Sequence, residues 1–354
     1  MLRDPEVIDV RPEEQLDTVA LEAYLRAHLP GAEGDFGMWQ FGGGHANLTF
    51  LVRFDEREFV LRRPPLGPLP ARAHDMQREY RVLSRLYDAF PLAPKALLLC
   101  TDRAVIGSDF VIEERRHGIA IRRGLPERYC DDPALAQRIG DMLVDTLADL
   151  HRVNVSAIGL DTLGKPEGFV ARQLASWIDR WHVAQTHGTL DAAHLTAWLS
   201  ERLPPSPVAT IVHNDYKLDN MLVDADDPSR VTALLDWDMC TVGDPLMDVG
   251  YMLALWPQAD EPSAWRIGTM PTWRPGFRTR AEAVARYAAR TGFDITHIEW
   301  YRIFSLFRFA GILQQIYKRY VTGQTHDERF ASFGFQANAI VLAATGRTKQ
   351  HVSS

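Results

Sequence analysis

Ile211-Val212-His213-Asn214-Asp215-Tyr216-Lys217-Leu218-Asp219-Asn220 is followed at once by Met221-Leu222-Val223, and then by Ala233-Leu234-Leu235-Asp236-Trp237-Asp238 and Gly243-Asp244-Pro245-Leu246-Met247-Asp248. Polar residues alternate here with short apolar runs of two or three. That pattern predicts loops held between short buried strands, with the side chains of the loops presented together.

These residue types in this order suit phosphoryl transfer. The reaction needs an acceptor oxygen held in line and cations on the phosphates, and little covalent chemistry from the protein. Asp215 is placed to face an acceptor hydroxyl and take its proton. Asn220, five residues on, can reach a metal from the far end of the same loop. Asp236, at the end of the next apolar run, can hold a metal that bridges phosphates, and Lys217 can neutralise charge on the group being transferred. His213 is expected to brace the loop, and Asp244 and Asp248 to act as helix-start and loop-bracing carboxylates. Asp238 fits either a place near the acceptor or a solvated one.

The string His213-x-Asp215-x-Lys217-x-x-Asn220 with Asp236 is similar to the catalytic and metal-binding segments of kinases. In the form H-N-D-Y-K-L-D-N, L-D-W-D and G-D-P-x-x-D it resembles the aminoglycoside phosphotransferase and choline kinase-like family. The resemblance covers about residues 15–345. Three further strings, V-L-R-R-P-P-x-G, R-E-Y-R-V-L and Q-Q-I-Y-K-R-Y, look most like the phosphotransferase domains joined to certain acyl-CoA dehydrogenases. A protein kinase would carry D-F-G after the catalytic loop and then A-P-E. Here D-F-G occurs only at Asp35-Phe36-Gly37, far upstream, where it is read as chance, and A-P-E is absent.

The resemblance implies an α+β, bilobal protein-kinase-like fold, with a small antiparallel-sheet N-lobe and a larger, mostly helical C-lobe. It implies ATP and Mg²⁺ as cofactors, with ATP in the cleft, and a small-molecule hydroxyl acceptor, in the closest subgroup a hydroxylated acyl compound. The Gly42-Gly43-Gly44-His45-Ala46-Asn47 turn lies between two predicted strands, and glycines there would let backbone N–H groups approach phosphate. Gly43, Gly44 and Asn47 are the expected contacts, although His45-Ala46 departs from the small polar tip usual in the family. Phe59-Val60-Leu61-Arg62 stands where kinases have a strand ending in Lys. Alternation puts Val60 and Arg62 on one face, for adenine and phosphates respectively, and Arg63 on the other, where solvent is expected. Glu79 is placed to pair with Arg62, and backbone groups near Glu114 and Arg116 would meet the adenine edge.

Outward from these motifs the chain is consistent with two lobes. Helical spacing occurs over 13–29 and 74–90, and on the 74–90 segment Met76, Tyr80, Leu83, Leu86 and Tyr87 share a face. Met38–Phe41, Leu48–Phe54 and Phe59–Arg62 read as a β-meander with a turn at Asp55–Glu58. A Pro/Gly-rich loop spans Pro64 to Pro70, and Leu97–Cys100 and Phe110–Ile112 are two more strands. After Gly118 helices dominate. Asp132-Pro133 caps one that carries Leu135, Ile139, Met142, Leu143, Leu147 and Leu150, with His151 beside its end. Gly292 stops another, and the aromatic run from Trp300 to Tyr320 reads as a long core helix. The divisions are a tail at 1–12, an N-lobe at 13–116 and a C-lobe at 117–354.

With 354 residues, 46% of them hydrophobic, the chain can bury two such lobes. Its net charge of −7 argues against a nucleic-acid partner. Cys100, Cys130 and Cys240 are too far apart for a CxxC metal site, and no signal core or run of about 18 apolar residues is present. A cytoplasmic protein with no membrane partner is the expectation. A nucleotide-binding pseudokinase that senses ATP or scaffolds a partner is the alternative, favoured by the altered loop tip and by Arg62, and opposed by the intact Asp215, Asn220 and Asp236.

Overall fold

The structure is a computed structural model and describes residues 6–42, 47–65, 75–122, 124–261 and 270–350. The chain divides into two compact units. One comprises Met1–Ile119 with Val231–Cys240, and the other Ala120–Arg230 with Thr241–Ser354. The segment that carries Asp236 therefore belongs with the sheet.

In the first unit the strands are β1 (Val7–Ile8), β2 (Phe36–Phe41), β3 (Leu48–Phe54), β4 (Arg57–Arg63), β5 (Ala96–Cys100) and β6 (Phe110–Glu114), in the antiparallel order β1-β2-β3-β4-β6-β5. The meander follows the expected boundaries closely because period-two alternation buries one face. Phe50, Val52, Phe54, Leu61, Phe110 and Ile112 are buried together against Leu21 and Leu25 of α1 (Thr18–His28). Asp17 caps that helix by accepting from the Ala20 N–H at 2.9 Å. The helix is shorter than the spacing over 13–29 suggests, because Pro12–Glu14 forms a separate 3₁₀ turn. Within the expected tail Val7–Ile8 is an edge strand, with Val7 opposite Phe41 and Ile8 opposite Gln40. Asp35-Phe36-Gly37 leads into β2 next to the Asp55 turn and takes no part in a kinase-type loop.

Helix α2 (Met76–Leu86) is capped by Asp75 and is followed by the short α3 (Arg103–Ile106). The buried face of α2 is Met76, Glu79, Val82, Leu83 and Leu86. Tyr80, expected on it, is only half-buried, while Val82 and the charged Glu79 are inside. Arg63 is also a correction: it is 6% exposed rather than solvated, and Nη1 donates to the Ile106 carbonyl at 3.2 Å. The face opposite Arg62 is the core face, and its edge is closed by the C-terminus of α3, where a cation meets unsatisfied carbonyls.

The second unit is helical: α4 (Pro133–His151), α5 (Phe169–Ala184), α6 (Ala193–Glu201), α7 (Leu246–Ala254), α8 (Arg280–Thr291), α9 (Ile298–Val321) and α10 (Phe333–Gln350). Asp132 caps α4 by accepting from the Leu135 N–H at 2.9 Å, and Gly292 ends α8 at φ 72°. The stripe on α4 is buried as expected. Trp300, Tyr301, Ile303, Phe304 and Phe307 of α9 are core, as the spacing of the aromatics indicates. Short strands Thr210–Val212 and Thr241–Gly243 pair antiparallel, and the 213–220 loop runs from the first of them to the strand Met221–Val223. Among the described residues no helix is long and apolar enough to cross a membrane.

Helices α7 and α9 approach closely at Gly250, where a Cβ would lie 2.6 Å from the backbone carbonyl carbon and oxygen of Tyr301. Backbone cannot yield as a flexible side chain does, so Gly250→Ala is expected to lower stability by about 1–3 kcal/mol, read as a fall in the denaturant midpoint.

Candidate active site

In the second unit the 213–220 loop is built around Asp215. Its Oδ2 accepts from Lys217 Nζ at 2.7 Å and from Asn220 Nδ2 at 2.8 Å, and its Oδ1 accepts from the Tyr251 hydroxyl at 2.9 Å. Burial alone would raise the Asp215 pKa. The Lys217 ammonium, its hydrogen bond, the Asn220 amide and the nearby His213 outweigh that and hold it below the ordinary aspartate value. The carboxylate is thus kept ionised and acceptor-only, the state a proton acceptor requires. Asn220 Nδ2 also donates to the Asp215 carbonyl at 2.8 Å, which turns its amide oxygen away from that carboxylate.

The loop is fixed from beneath by Asp248 on α7, which has no solvent exposure. Its two oxygens accept from the backbone N–H groups of His213 at 2.6 Å and Asn214 at 2.7 Å. His151 Nε2 lies 3.3 Å from the same carboxylate, and His151 Nδ1 lies 2.7 Å from the Tyr287 hydroxyl. Asn214 takes φ 66°, a left-handed conformation that Asn tolerates better than most residues, and its carbonyl accepts from Arg308 Nη2 at 2.5 Å. His213 is buried, and its Nδ1 accepts from the Asp215 N–H at 3.3 Å, so it braces the loop. Asp244 accepts from the Leu246 N–H at 2.8 Å and from the Tyr301 hydroxyl at 2.7 Å, which starts α7 and ties it to α9.

In the first unit the centre is Arg62. Its Nε lies 2.6 Å from Glu79 Oε1 and 3.8 Å from Glu113 Oε1, and Nη2 donates to Asp236 Oδ1 at 3.0 Å. Burial alone would lower the guanidinium pKa; Glu79, Asp236, Glu113 and Asp238 reverse that, so the group is firmly charged. The expected Arg62–Glu79 pair is present. Glu113 was not anticipated. Register places it opposite Val60, on the face shared by Val60 and Arg62, with 5% exposure. The signal was in reach, because strand alternation continued one residue past Ile112 would have put a carboxylate there.

Asp236 also has positive φ, 68°, directly after the strand Val231–Leu234. Buried Trp237 anchors the turn, with Nε1 donating to the Leu234 carbonyl at 2.8 Å and its ring edge-on to Phe90. The Glu114 side chain accepts from the Lys95 N–H at 2.8 Å, and Arg116 Nη2 lies 2.8 Å from Glu114 and donates to the Pro91 carbonyl at 2.6 Å. The Glu114 N–H donates to the Lys95 carbonyl at 2.9 Å. Gly43 and Gly44 lie outside the described residues. Asn47 is buried beside β3.

The donor chemistry fits a hard divalent cation. Each unit presents one oxygen ligand of the type Mg²⁺ takes, the Asp236 carboxylate in the first and the Asn220 amide oxygen in the second. Among the described residues there is no cluster of three or more His, Cys, Asp or Glu that would form an all-protein metal cage. Mg²⁺ commonly uses one or two protein carboxylates plus phosphate and water instead.

The sequence pattern described as "Phosphotransferase enzyme family" matches residues 39–296. The rat acyl-CoA dehydrogenase family member 11 is 33% identical over 335 residues, covering 91% of this chain and 42% of the relative. The mouse acyl-CoA dehydrogenase family member 10 is 32% identical over 323 residues, covering 90% and 30%. This chain therefore spans less than half the length of these curated relatives. Among solved structures, a Ralstonia eutropha protein provisionally named an aminoglycoside phosphotransferase is 33% identical, with a TM-score of 0.82 over 95% of this chain and 99% of that one. Choline kinase from Cryptosporidium parvum shares the fold at 14% identity, TM-score 0.64, over 95% and 97%. The aminoglycoside phosphotransferase APH(4)-Ia, solved with ADP and hygromycin B, shares it at 18% identity, TM-score 0.58, over 91% and 98%.

Two outcomes follow. Asp248→Ala leaves the His213 and Asn214 N–H groups buried without their acceptor, at a cost on the order of 3 kcal/mol in chemical denaturation. The second concerns pH. Burial pushes Glu79 up to about 8 and Glu113 up to about 7, against the pull of Arg62. The folded state then holds protons that the unfolded state has released, so stability is highest near the ordinary glutamate pKa and falls as pH rises toward 8. Glu113→Gln is expected to flatten that slope in denaturant midpoints measured from pH 5 to 8.

Proposed function

This chain belongs to the phosphotransferase enzyme family, with its α+β, bilobal protein-kinase-like fold, and we propose that it transfers the terminal phosphoryl group of ATP, with Mg²⁺, to a hydroxyl of a small molecule. The observation that carries this reading is Asp215: an ionised carboxylate gripped by Lys217, Asn220 and Tyr251 on a loop whose backbone is itself tied down by Asp248.

In this reading Asp215 orients the acceptor hydroxyl and takes its proton as the oxygen attacks. Lys217 offsets charge on the group being transferred. Tyr251 and Asn220 hold the carboxylate in one rotamer, which removes the cost of ordering it at each turnover. In the first unit Arg62 is directed by Glu79 and Glu113 and serves the nucleotide phosphates. Val60 lies on the same face for the base, Gly43, Gly44 and Asn47 serve the phosphate loop, and Arg116 follows at the end of β6. Asn220 and Asp236 are the proposed Mg²⁺ ligands; the bound ion would screen the phosphate charge. The lobes are taken as 13–116 and 117–354, after a short 1–12 extension.

The named relatives direct the acceptor search. Similarity to acyl-CoA dehydrogenase family members 10 and 11, over 90% and 91% of this chain and less than half of either relative, supports a hydroxylated acyl acceptor. The antibiotic kinase APH(4)-Ia has lower identity, 18%, and supports the fold alone.

The test is Mg²⁺-dependent ADP release from ATP across hydroxy acids and their CoA esters, aminoglycosides, macrolides and choline. Asp215→Asn is expected to lower acceptor-dependent release by about 10²–10⁴-fold with ATP binding retained. Asp236→Ala is expected to abolish turnover with Mg·ATP. Unchanged turnover in either variant would refute its assigned role. The alternative of a nucleotide-binding pseudokinase draws on Arg62 being seated on Asp236, and measurable ATP binding with no release to any acceptor or to water would favour it.

A further inference from the structure

The second unit carries a pocket that shares no lining residue with the Asp215 cluster. It lies between the end of α7, the start of α8 and the facing sides of α9 and α10. Its polar end is made of Arg280, Arg302, Arg347 and Glu261. Glu261 accepts from Arg280 Nη1 at 2.7 Å and Nη2 at 2.6 Å, and from Arg347 Nη2 at 3.0 Å. Arg302 Nη2 stands 3.7 Å from the same carboxylate, and Nη1 donates to Glu299 at 3.2 Å.

Three guanidiniums converge here; Glu261 takes hydrogen bonds from Arg280 and Arg347, and Arg302 stands off it at 3.7 Å. Arg302 is 8% exposed, and its Nε is buried with no hydrogen-bond partner among the described residues. Burial draws its pKa down to about 10; Arg280 and Arg347 add to the fall against Glu299 and Glu261. A guanidinium so poorly hydrated, with one N–H unbonded, is costly, and an anion placed against it would offset that cost.

The rest of the wall has a different chemistry. Leu306 and Phe309 from α9 face Ile340 and Ala343 from α10, an apolar surface with no polar side chain to meet a hydrophilic ligand. A cavity apolar along its length and cationic at one end fits a ligand of matching polarity.

We propose that this pocket binds an aliphatic monocarboxylate, its carboxylate at the Arg302–Arg347 end and its chain along Leu306, Phe309, Ile340 and Ala343. The proposal is independent of the phosphotransferase reading, since none of these residues serves it. The competing account is a purely structural ion-pair cluster that ties Glu261 to α8, α9 and α10.

Isothermal titration of the full chain separates the two, with octanoate, octan-1-ol, octylamine and inorganic phosphate as probes. Octanoate is expected to bind, and the other three to give no saturable heat. Ala343→Phe fills the apolar wall without touching any ion pair, and Arg302→Gln removes the charge. Each is expected to weaken octanoate at least about tenfold while melting within a few degrees of the parent chain. The Ala343 variant keeps the test decisive should Arg302→Gln unfold. Absence of octanoate binding, equal binding of octan-1-ol, or octanoate affinity unchanged in Ala343→Phe would overturn the proposal. Phosphate binding without octanoate binding would overturn it as well.

Discussion

A carboxylate with no solvent exposure must find in protein what water would have supplied, and Asp248 finds it in the backbone of the 213–220 loop. Its two oxygens take the N–H groups of His213 and Asn214, with His151 completing the shell. Charge-assisted bonds to backbone are short and strong in a dry interior. They hold Asn214 in a left-handed conformation, and that turn directs the Asp215 side chain toward Lys217, Asn220 and Tyr251. The same α7 that carries Asp248 also carries Tyr251. One helix thus positions both the loop backbone and the hydroxyl that holds the Asp215 carboxylate.

The first unit solves a related problem with the opposite sign. Arg62 is a buried cation, and it is held among Glu79, Glu113 and Asp236. Burial, and after it the repulsion among the neighbouring carboxylates, raises the Glu79 and Glu113 pKa values against the pull of Arg62. An Arg suits this arrangement better than a Lys. Its planar fork engages separate acids through Nε and Nη2 at once, whereas an ammonium is a single point charge. Asp236 reaches this cluster from a distant part of the sequence, on a turn with positive φ that Trp237 anchors.

Much of this was legible in order and spacing. Asp215, Lys217 and Asn220 lie on one short loop, so their mutual contacts are a local matter. Alternation along Phe59–Arg62 was enough to put Val60 and Arg62 on one face, and helical spacing put Glu79 within reach. The errors have a common source, which is that a side chain's surroundings come from elements far away in sequence. Arg63 was assigned to solvent because it faces away from Arg62, yet that face is the core, and the end of α3 closes over it. Glu113 was left out because the strand was ended at Ile112, one residue short of it. Val7–Ile8 looked like tail because two residues carry no periodicity; only pairing with β2 makes them a strand.

The sequence by itself determined the family, the grouping of Asp215, Lys217 and Asn220 on one loop, the meander, the helix caps at Asp132 and Gly292 and the core role of the aromatic helix, because these depend on residue identity within a few positions. Tertiary structure alone decided that Tyr251 and Arg308 support the loop, that Glu113 joins the Arg62 cluster, and that Arg280, Arg302 and Arg347 converge on Glu261. Those groups are 36 or more residues from the partners they meet in the first two cases, and in the third they come from three different helices. Which charges end up buried together is set by the packing of the helices and the sheet, and hydrophobic periodicity carries no record of it.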